Sequence, residues 1–545
     1  MRLGKTPEKT TYDARPNVIL ILADDMGFSD LGCFGSEIRT PNINHMAAQG
    51  ATLSAMYNCA RCCPTRASLL TGLYPHRAGV GHMGANLGSP AYQGYLSNNS
   101  VTIAEVLRLS GYRTLMSGKW HVGGDFDARE IDSWRIGDLD HPTPRQRGFD
   151  EFYGMVDGAS SFFSPHCILR DDGRVEITDN HFHFTDAITD AAIGMINRSM
   201  QDAQPFFLYL AYTAPHWPLH AHEEDIAVYD GLYASGWDVI RAARHEELNS
   251  RNLLRDAWDI SPRDVNAPPW ASVSNRDWEA RRMQTYAAMV EQMDRGIGKV
   301  MARLDALSIG NDTLVMFLSD NGGCAELMEE DGWAQYYPRV NHDGSIVTPG
   351  NRHDLQAGGK DTFMSYDLPW ANVSNAPFRL FKHWVHEGGI STPLIVRWPQ
   401  GMPKRVAVHE PAHVVDIMPT ILEATGAAYP AEFGGHPVYR PDGESLLSLL
   451  QGADWKREQP IYWEHEGNAA LRMGEWKLVR RHGADWELYQ MDEDRTELNN
   501  LARRAPTRVR RMARDWQTWA DDVGVREWAD LRGVLARIWG MDSTG

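Results

Sequence analysis

Three stretches of the chain are apolar at nearly every position rather than at alternate ones: Asn17 to Ala23, Pro205 to Tyr212 and Asp312 to Ser319. Such runs, rich in β-branched and aromatic residues, are the pattern of strands buried on both faces, as in the centre of an α/β sheet. Pro393 to Trp398 is a fourth strand candidate. Gly111 to Ser117 alternates like a strand and follows a helical stretch from Val101 to Leu109. A helix is expected from Val415 to Ala424, stopped by Gly426, with Gly443 to Leu450 closing the main domain. From about Gln459 the pattern changes to short segments, 461–464, 470–472, 477–480 and 486–489, which suit antiparallel strands joined by turns, and a helix from about Ala505 to Val523 follows.

Ligands of open α/β sheets gather at the carboxyl ends of strands. The first buried run ends in Asp24-Asp25, and the run three hundred residues later ends in Asp320-Asn321. Adjacent carboxylates repel unless a cation intervenes. Asp24, Asp25, Asp320 and the amide oxygen of Asn321 form an all-oxygen set suited to a hard cation such as Ca²⁺ or Mg²⁺. Cys62 lies where a loop enters an apolar helical run, with Pro64 in the first turn and Arg66 behind it, a position that favours anions and activates nucleophiles. Buried cysteines or a zinc knot are the other readings of this cysteine-rich stretch, but three cysteines in five positions suit a zinc site poorly. His216, His220 and His222 would need a helix to converge on zinc, and Pro215 and Pro218 oppose one.

With 545 residues, 43% hydrophobic and 23% charged, the chain has ample length for a core and for two to four domains. Its net charge of -18 disfavours general binding to nucleic acid or anionic membrane, so an anionic substrate must find a local basic pocket. No apolar run is long enough for a membrane span, and the first sixteen residues lack the apolar core of a secretory signal. The expectation is a soluble protein, cytoplasmic as given, or periplasmic or secreted if a leader has been removed. Six cysteines are too few for a disulfide scaffold.

The pattern Cys62-Cys63-Pro64-Thr65-Arg66 with Leu70-Thr71-Gly72 resembles the signature of the type I sulfatases. Gly118-Lys119-Trp120-His121 is similar to the family's second signature. Ala214-Pro215-His216 matches its catalytic histidine, and Glu387-Gly388-Gly389-Ile390 a third landmark, with Lys382 five residues before it. The resemblance covers nearly the whole chain. It implies a large mixed central β-sheet sandwiched by helices, of the alkaline-phosphatase-like kind, as a catalytic domain over 1–455, with a smaller antiparallel-sheet-and-helix domain over 456–545. It further implies that a formylglycine-generating enzyme oxidises Cys62 to formylglycine, whose hydrate attacks sulfur. Asp24, Asp25, Asp320, Asn321 and a formylglycine hydroxyl would hold the cation. Arg66 would support the nucleophile, Lys119, His216 and Lys382 would bind sulfate, His216 would protonate the leaving alcohol or phenol, and His121 would take the proton that releases sulfate. The substrate would be a small-molecule or carbohydrate sulfate ester.

Cys63 departs from the serine frequent in the family. Arg379 and His383 compete with Lys382 as anion binders. His82, Asn86, His166, His181, His183 and Arg352 are candidates for the pocket lining, and 217–277 and 326–375 for excursions that carry specificity. Three other functions remain open: a phosphonate monoester or phosphodiester hydrolase of the same superfamily, a non-catalytic protein binding sulfated glycans, and a zinc-binding structural protein.

Overall fold

A computed structural model describes residues 15–539, apart from 180, 203, 255–257 and 403–405. The apolar runs pair into one sheet of eleven strands. Asn17–Ala23 lies between Thr313–Ser319 and Phe206–Ala211, parallel to both. Arg113–Lys119 and Glu151–Met155 extend the parallel set beyond Phe206–Ala211. On the other side Ser391–Arg397 runs antiparallel to Thr313–Ser319 and to Ala51–Tyr57, so Ala51–Tyr57 points the same way as the parallel strands. The carboxyl ends of those six strands and the amino end of Ser391–Arg397 therefore share one edge. That edge is where the acidic, basic and cysteine motifs emerge.

Burial on both faces explains the unbroken apolar runs. Ile19 and Ile21 pack into one core layer, with the helices Phe184–Ser199 and Arg276–Ala306. Val18, Leu20 and Leu22 pack into the other, with Cys62–Thr71, Ile103–Leu109 and Ile417–Thr425. Thr102 and Glu105 close a reciprocal cap on Ile103–Leu109, each side chain bonded to the other's backbone N–H.

The segment after 459 forms a separate four-stranded antiparallel sheet, Ile461–His465, Asn468–Met473, Trp476–Arg480 and Glu487–Gln490, in sequential order. Helix Pro506–Val523 covers one face through Met512, Trp516 and Trp519. The other face meets Tyr57, Ala60, Val385 and Ile390 of the main body. Glu387 locks this junction: its carboxylate accepts from Tyr57 Oη at 3.0 Å, Lys477 Nζ at 2.7 Å and Arg495 Nε at 2.8 Å. Two expected boundaries move. The strand placed at 111–117 occupies Arg113–Lys119, which puts Lys119 inside it, and the helix placed at 415–424 is a 3-10 turn, Val414–Asp416, leading into Ile417–Thr425. Among the described residues no helix is long and apolar enough to cross a membrane.

Candidate functional site

Asp24 and Asp25 leave the central strand where Asp25 takes a left-handed backbone, φ 63°. Ala60, His121, Leu380 and His383 are also non-glycine residues at positive φ. Such conformations cost of order 1–3 kcal/mol each and persist where the surroundings enforce them. His121 is thus turned out of the extended chain that ends at Lys119. The Lys382 loop closes over Gly388 and Gly389. A Cβ at Gly388 would sit 2.2 Å from the Leu380 carbonyl oxygen, and one at Gly389 would sit 1.9 Å from that of Trp384, so only glycine permits the approach.

The residues of the strand-end and helix-start motifs meet at this corner. Arg66 forks onto Asp320 Oδ2 through Nε at 3.1 Å and Nη2 at 2.8 Å, and its Nη1 donates to the Lys119 carbonyl at 2.9 Å. Lys119 Nζ lies 2.6 Å from Asp24 Oδ2. Lys382 Nζ lies 2.9 Å from Asp25 Oδ2 and 3.4 Å from His216 Nε2. His216 Nε2 is itself 3.3 Å from that Asp25 oxygen, while its Nδ1 faces the Trp217 carbonyl at 2.7 Å. A carbonyl can only accept, so Nδ1 carries hydrogen and Nε2 is left to the site. Cys62, 1% exposed, opens helix Cys62–Thr71, and ligating atoms of Cys62, Cys63 and His121 lie within 4.8 Å of one another.

The charges are strongly coupled. A hydrogen bond from Cys63 holds the Cys62 thiol well below the usual range, and the charges of His121 and Lys119 reinforce it against burial. Burial opposes ionisation of Asp24, but Lys119, His216 and Arg66 outweigh it and keep its carboxyl below the usual range. Burial, with the charge of Asp24, pushes the Asp320 carboxyl well above that range. Burial lowers His216 and His121, against the pull of Asp25 and Cys62 respectively.

Two oxygens decide whether a cation fits. Among the described residues Asp24 Oδ1 and Asn321 Oδ1 are buried without a hydrogen-bond partner, although Arg66 Nη2 passes 3.4 Å from the former. Asn321 instead turns Nδ2 to Asp25 Oδ1 at 2.7 Å, an orientation that an amide flip would exchange for its oxygen. Buried oxygens with free lone pairs beside three carboxylates are a donor set for a hard cation. The residues present fit Ca²⁺ or Mg²⁺.

Other candidates resolve differently. Arg379 is tied to Glu487 and Glu497, so it is committed to the small sheet. His220 faces the Thr362 carbonyl through Nε2 at 2.7 Å, and His183 and His222 join a ring cluster with Phe163, so no zinc site unites them with His216. His166 pairs with Asp157 at 2.6 Å, Arg352 with Asp354, and Asn86 bonds its own turn at Gly88. His181 is exposed. His82 and His383 meet at Glu466. Sequence reasoning missed Glu326, at the start of the second excursion. Its carboxylate accepts from Trp217 Nε1 at 2.8 Å, pairs with Arg61 Nη2 at 3.0 Å and stands 3.7 Å from Lys382 Nζ. Burial resists its ionisation, but Lys382 and Arg61 prevail and hold it at about 2. No motif marks it. A cavity of about 510 Å³, lined by Arg129, His166 and Arg174 among others, includes none of the candidate catalytic residues.

The large mixed sheet, helices on both faces and an oxygen-rich, cationic pocket at the strand ends define a hydrolase of the alkaline phosphatase superfamily. Within it this chain belongs to the sulfatase family, whose model matches residues 16–427, and a second model, N-sulphoglucosamine sulphohydrolase, C-terminal, matches 378–514. An uncharacterised sulfatase of Schizosaccharomyces pombe is 32% identical over 95% of both chains. An arylsulfatase of Klebsiella aerogenes is 32% identical over 80% of this chain and 92% of its own. The crystal structure of Ps i-CgsB in complex with k-i-k-neocarrahexaose aligns at TM-score 0.67 and 25% identity, covering 97% of this chain and 98% of the other. A phosphonate monoester hydrolase of Agrobacterium radiobacter shares the fold at TM-score 0.56 and 20% identity, over 93% and 96%. The protein is a sulfuric ester hydrolase.

Proposed function

We propose that this enzyme hydrolyses aryl or carbohydrate sulfate monoesters with a formylglycine made from Cys62 and a hard cation, Ca²⁺ or Mg²⁺, held by Asp24, Asp25, Asp320 and Asn321. The observation that carries the reading is the meeting of the two unpartnered buried oxygens, Asp24 Oδ1 and Asn321 Oδ1, with the Cys62 helix start and three cationic side chains. The Ps i-CgsB complex, whose ligand is an oligosaccharide, supports the carbohydrate option. The division into a catalytic domain, 1–455, and a small domain, 456–545, belongs to the same proposal.

Bound among those oxygens, the cation would polarise a sulfate oxygen and favour ionisation of the attacking hydroxyl. Formylglycine hydrate supplies two hydroxyls on one carbon, one to attack sulfur and one to drive its release. The remaining roles fall to side chains already in place. Arg66 orients Asp320 by its two-point bond and Lys119 through its backbone carbonyl. Lys119 and Lys382, the ammonium groups on Asp24 and Asp25, neutralise sulfate oxygens. His216 acts as the imidazolium, keeping its Nδ1 hydrogen on the Trp217 carbonyl and giving the Nε2 proton to the departing oxygen, and Lys382 and Asp25 beside it set its orientation. His121 accepts the proton from position 62. Glu326 steers Lys382 from the substrate side.

The test joins mass and activity in one sample produced with a formylglycine-generating enzyme. The expected peptide is lighter by about 18 Da at position 62, the difference between thiol and aldehyde, and the protein releases sulfate from an aryl sulfate until a chelator is added. Full conversion with turnover of phosphonates or phosphodiesters but not sulfate esters would overturn the sulfatase assignment of this site.

A further inference from the structure

The turn between the first two strands of the small sheet carries His465 and Glu466 back to the loops around Cys62, where they meet His82 and His383. Glu466 Oε1 lies 2.9 Å from His82 Nε2 and 3.6 Å from His465 Nε2, and Oε2 lies 2.9 Å from His383 Nδ1. Ligating atoms of His82, His465 and Glu466 all fall within 4.8 Å of one another. His465 is 0% exposed, and among the described residues neither of its ring nitrogens has a hydrogen-bond partner. A neutral imidazole carries one N–H and one lone pair, and burying both unpaired is costly. The backbone adds to that cost, since Glu466 and His383 both sit at positive φ, 51° and 89°. Nothing in the sulfate-transfer chemistry uses these four side chains.

We propose that His82, His465 and Glu466 form a second metal centre, selective for zinc-class ions, with His383 holding the far oxygen of Glu466. Imidazole nitrogens with one carboxylate are the donors such ions take, whereas the corner at Asp24 offers oxygen alone. Three protein ligands leave a fourth position, and the half-buried His383 ring marks the side from which water or an ion enters. His383 follows Lys382 in the chain, and its backbone N–H donates to the Ala60 carbonyl at 2.8 Å. An ion here would clip the small sheet to the loops that carry His82 and His383.

The experiment loads the full chain with zinc, or with cobalt as a spectroscopic probe, removes loosely held ions by gel filtration, and measures metal content and the visible spectrum. One equivalent of zinc per chain is expected in excess of any held at the Asp24 corner, together with a visible cobalt spectrum free of a thiolate charge-transfer band. His465→Ala and Glu466→Gln, checked for folding by circular dichroism, should lose that equivalent, and His383→Ala should weaken it by about tenfold to a hundredfold. Cys62→Ser/Cys63→Ser and Asp320→Asn should retain it. Absence of the equivalent in the parent protein, its persistence in both folded variants, or a thiolate band would overturn the centre. Sulfate release is not the readout, so failure here leaves the reading of the Cys62 corner untouched.

Discussion

Cys62 and Lys119 allow the sharpest tests at the scale of single residues. Cys62→Ser keeps one hydroxyl but lacks the second that releases sulfate, so the proposed chemistry requires that this variant show no steady release from an aryl sulfate. Lys119→Met removes an ammonium buried 2.6 Å from Asp24 Oδ2. Loss of one such preorganised charge is expected to lower kcat by about 10²–10³-fold, measured on the same substrate. Most of these residues were legible because each follows a strand or opens a helix within a recognisable short pattern. Glu326 was not, since a lone carboxylate in a long excursion carries no local signal. Its partners Arg61, Trp217 and Lys382 are brought to it by tertiary packing alone. Arg379 shows the converse. Its position near Lys382 made it a plausible anion binder, but Glu487 of the small sheet and Glu497 in the loop after it occupy it.

At the scale of elements, periodicity revealed the strands that are buried on both faces but not their partners. Asn17–Ala23 and Thr313–Ser319 stood out because every position is covered. Nothing local distinguishes Ser391–Arg397, which runs against its neighbours, from the parallel strands, and its direction is set by which loops must meet at the pocket. The junction between the two sheets was equally hidden, because Glu387 reads as part of a glycine motif yet pairs with Lys477 and Arg495 about a hundred residues away. Burial opposes its ionisation, but Lys477 and Arg495 hold the carboxyl at about 2 in the folded protein against an ordinary value of 4.5. The stability it contributes is therefore complete above about pH 4.5 and lost as pH falls toward 2. Glu387→Gln, which leaves Lys477 and Arg495 short of a counter-charge, should cost about 3–5 kcal/mol at neutral pH in denaturant unfolding, and the parent protein should converge on the variant in acid.

For the whole molecule, an earlier acid response is expected from histidine. Burial holds His183 at about 3, His220 at about 4 and His413 at about 3, so all three stay neutral in the folded state. In the unfolded chain they take up protons near pH 6.5. Below that pH the unfolded state binds more protons, so stability falls as pH drops from about 6.5 toward 4, by about 1.4 kcal/mol per pH unit for each histidine. Thermal melts between pH 7 and 5 should show Tm falling before Glu387 protonates, and replacing His413 with an uncharged residue should flatten that slope.

The depth of Cys62 also fixes an order of events in the life of the protein. With the thiol 1% exposed and Arg66 fully covered behind it, a folded chain offers a second enzyme no purchase on the residue it would have to oxidise. On the proposed route, conversion of the cysteine falls while this segment is still an extended peptide, before the sheet closes around it. On that route a chain that completes folding unconverted stays so, and the fraction of active molecules is decided during synthesis. Incubating folded, unconverted protein with a formylglycine-generating enzyme should leave its mass unchanged, while a peptide spanning 59–72 should be converted under the same conditions.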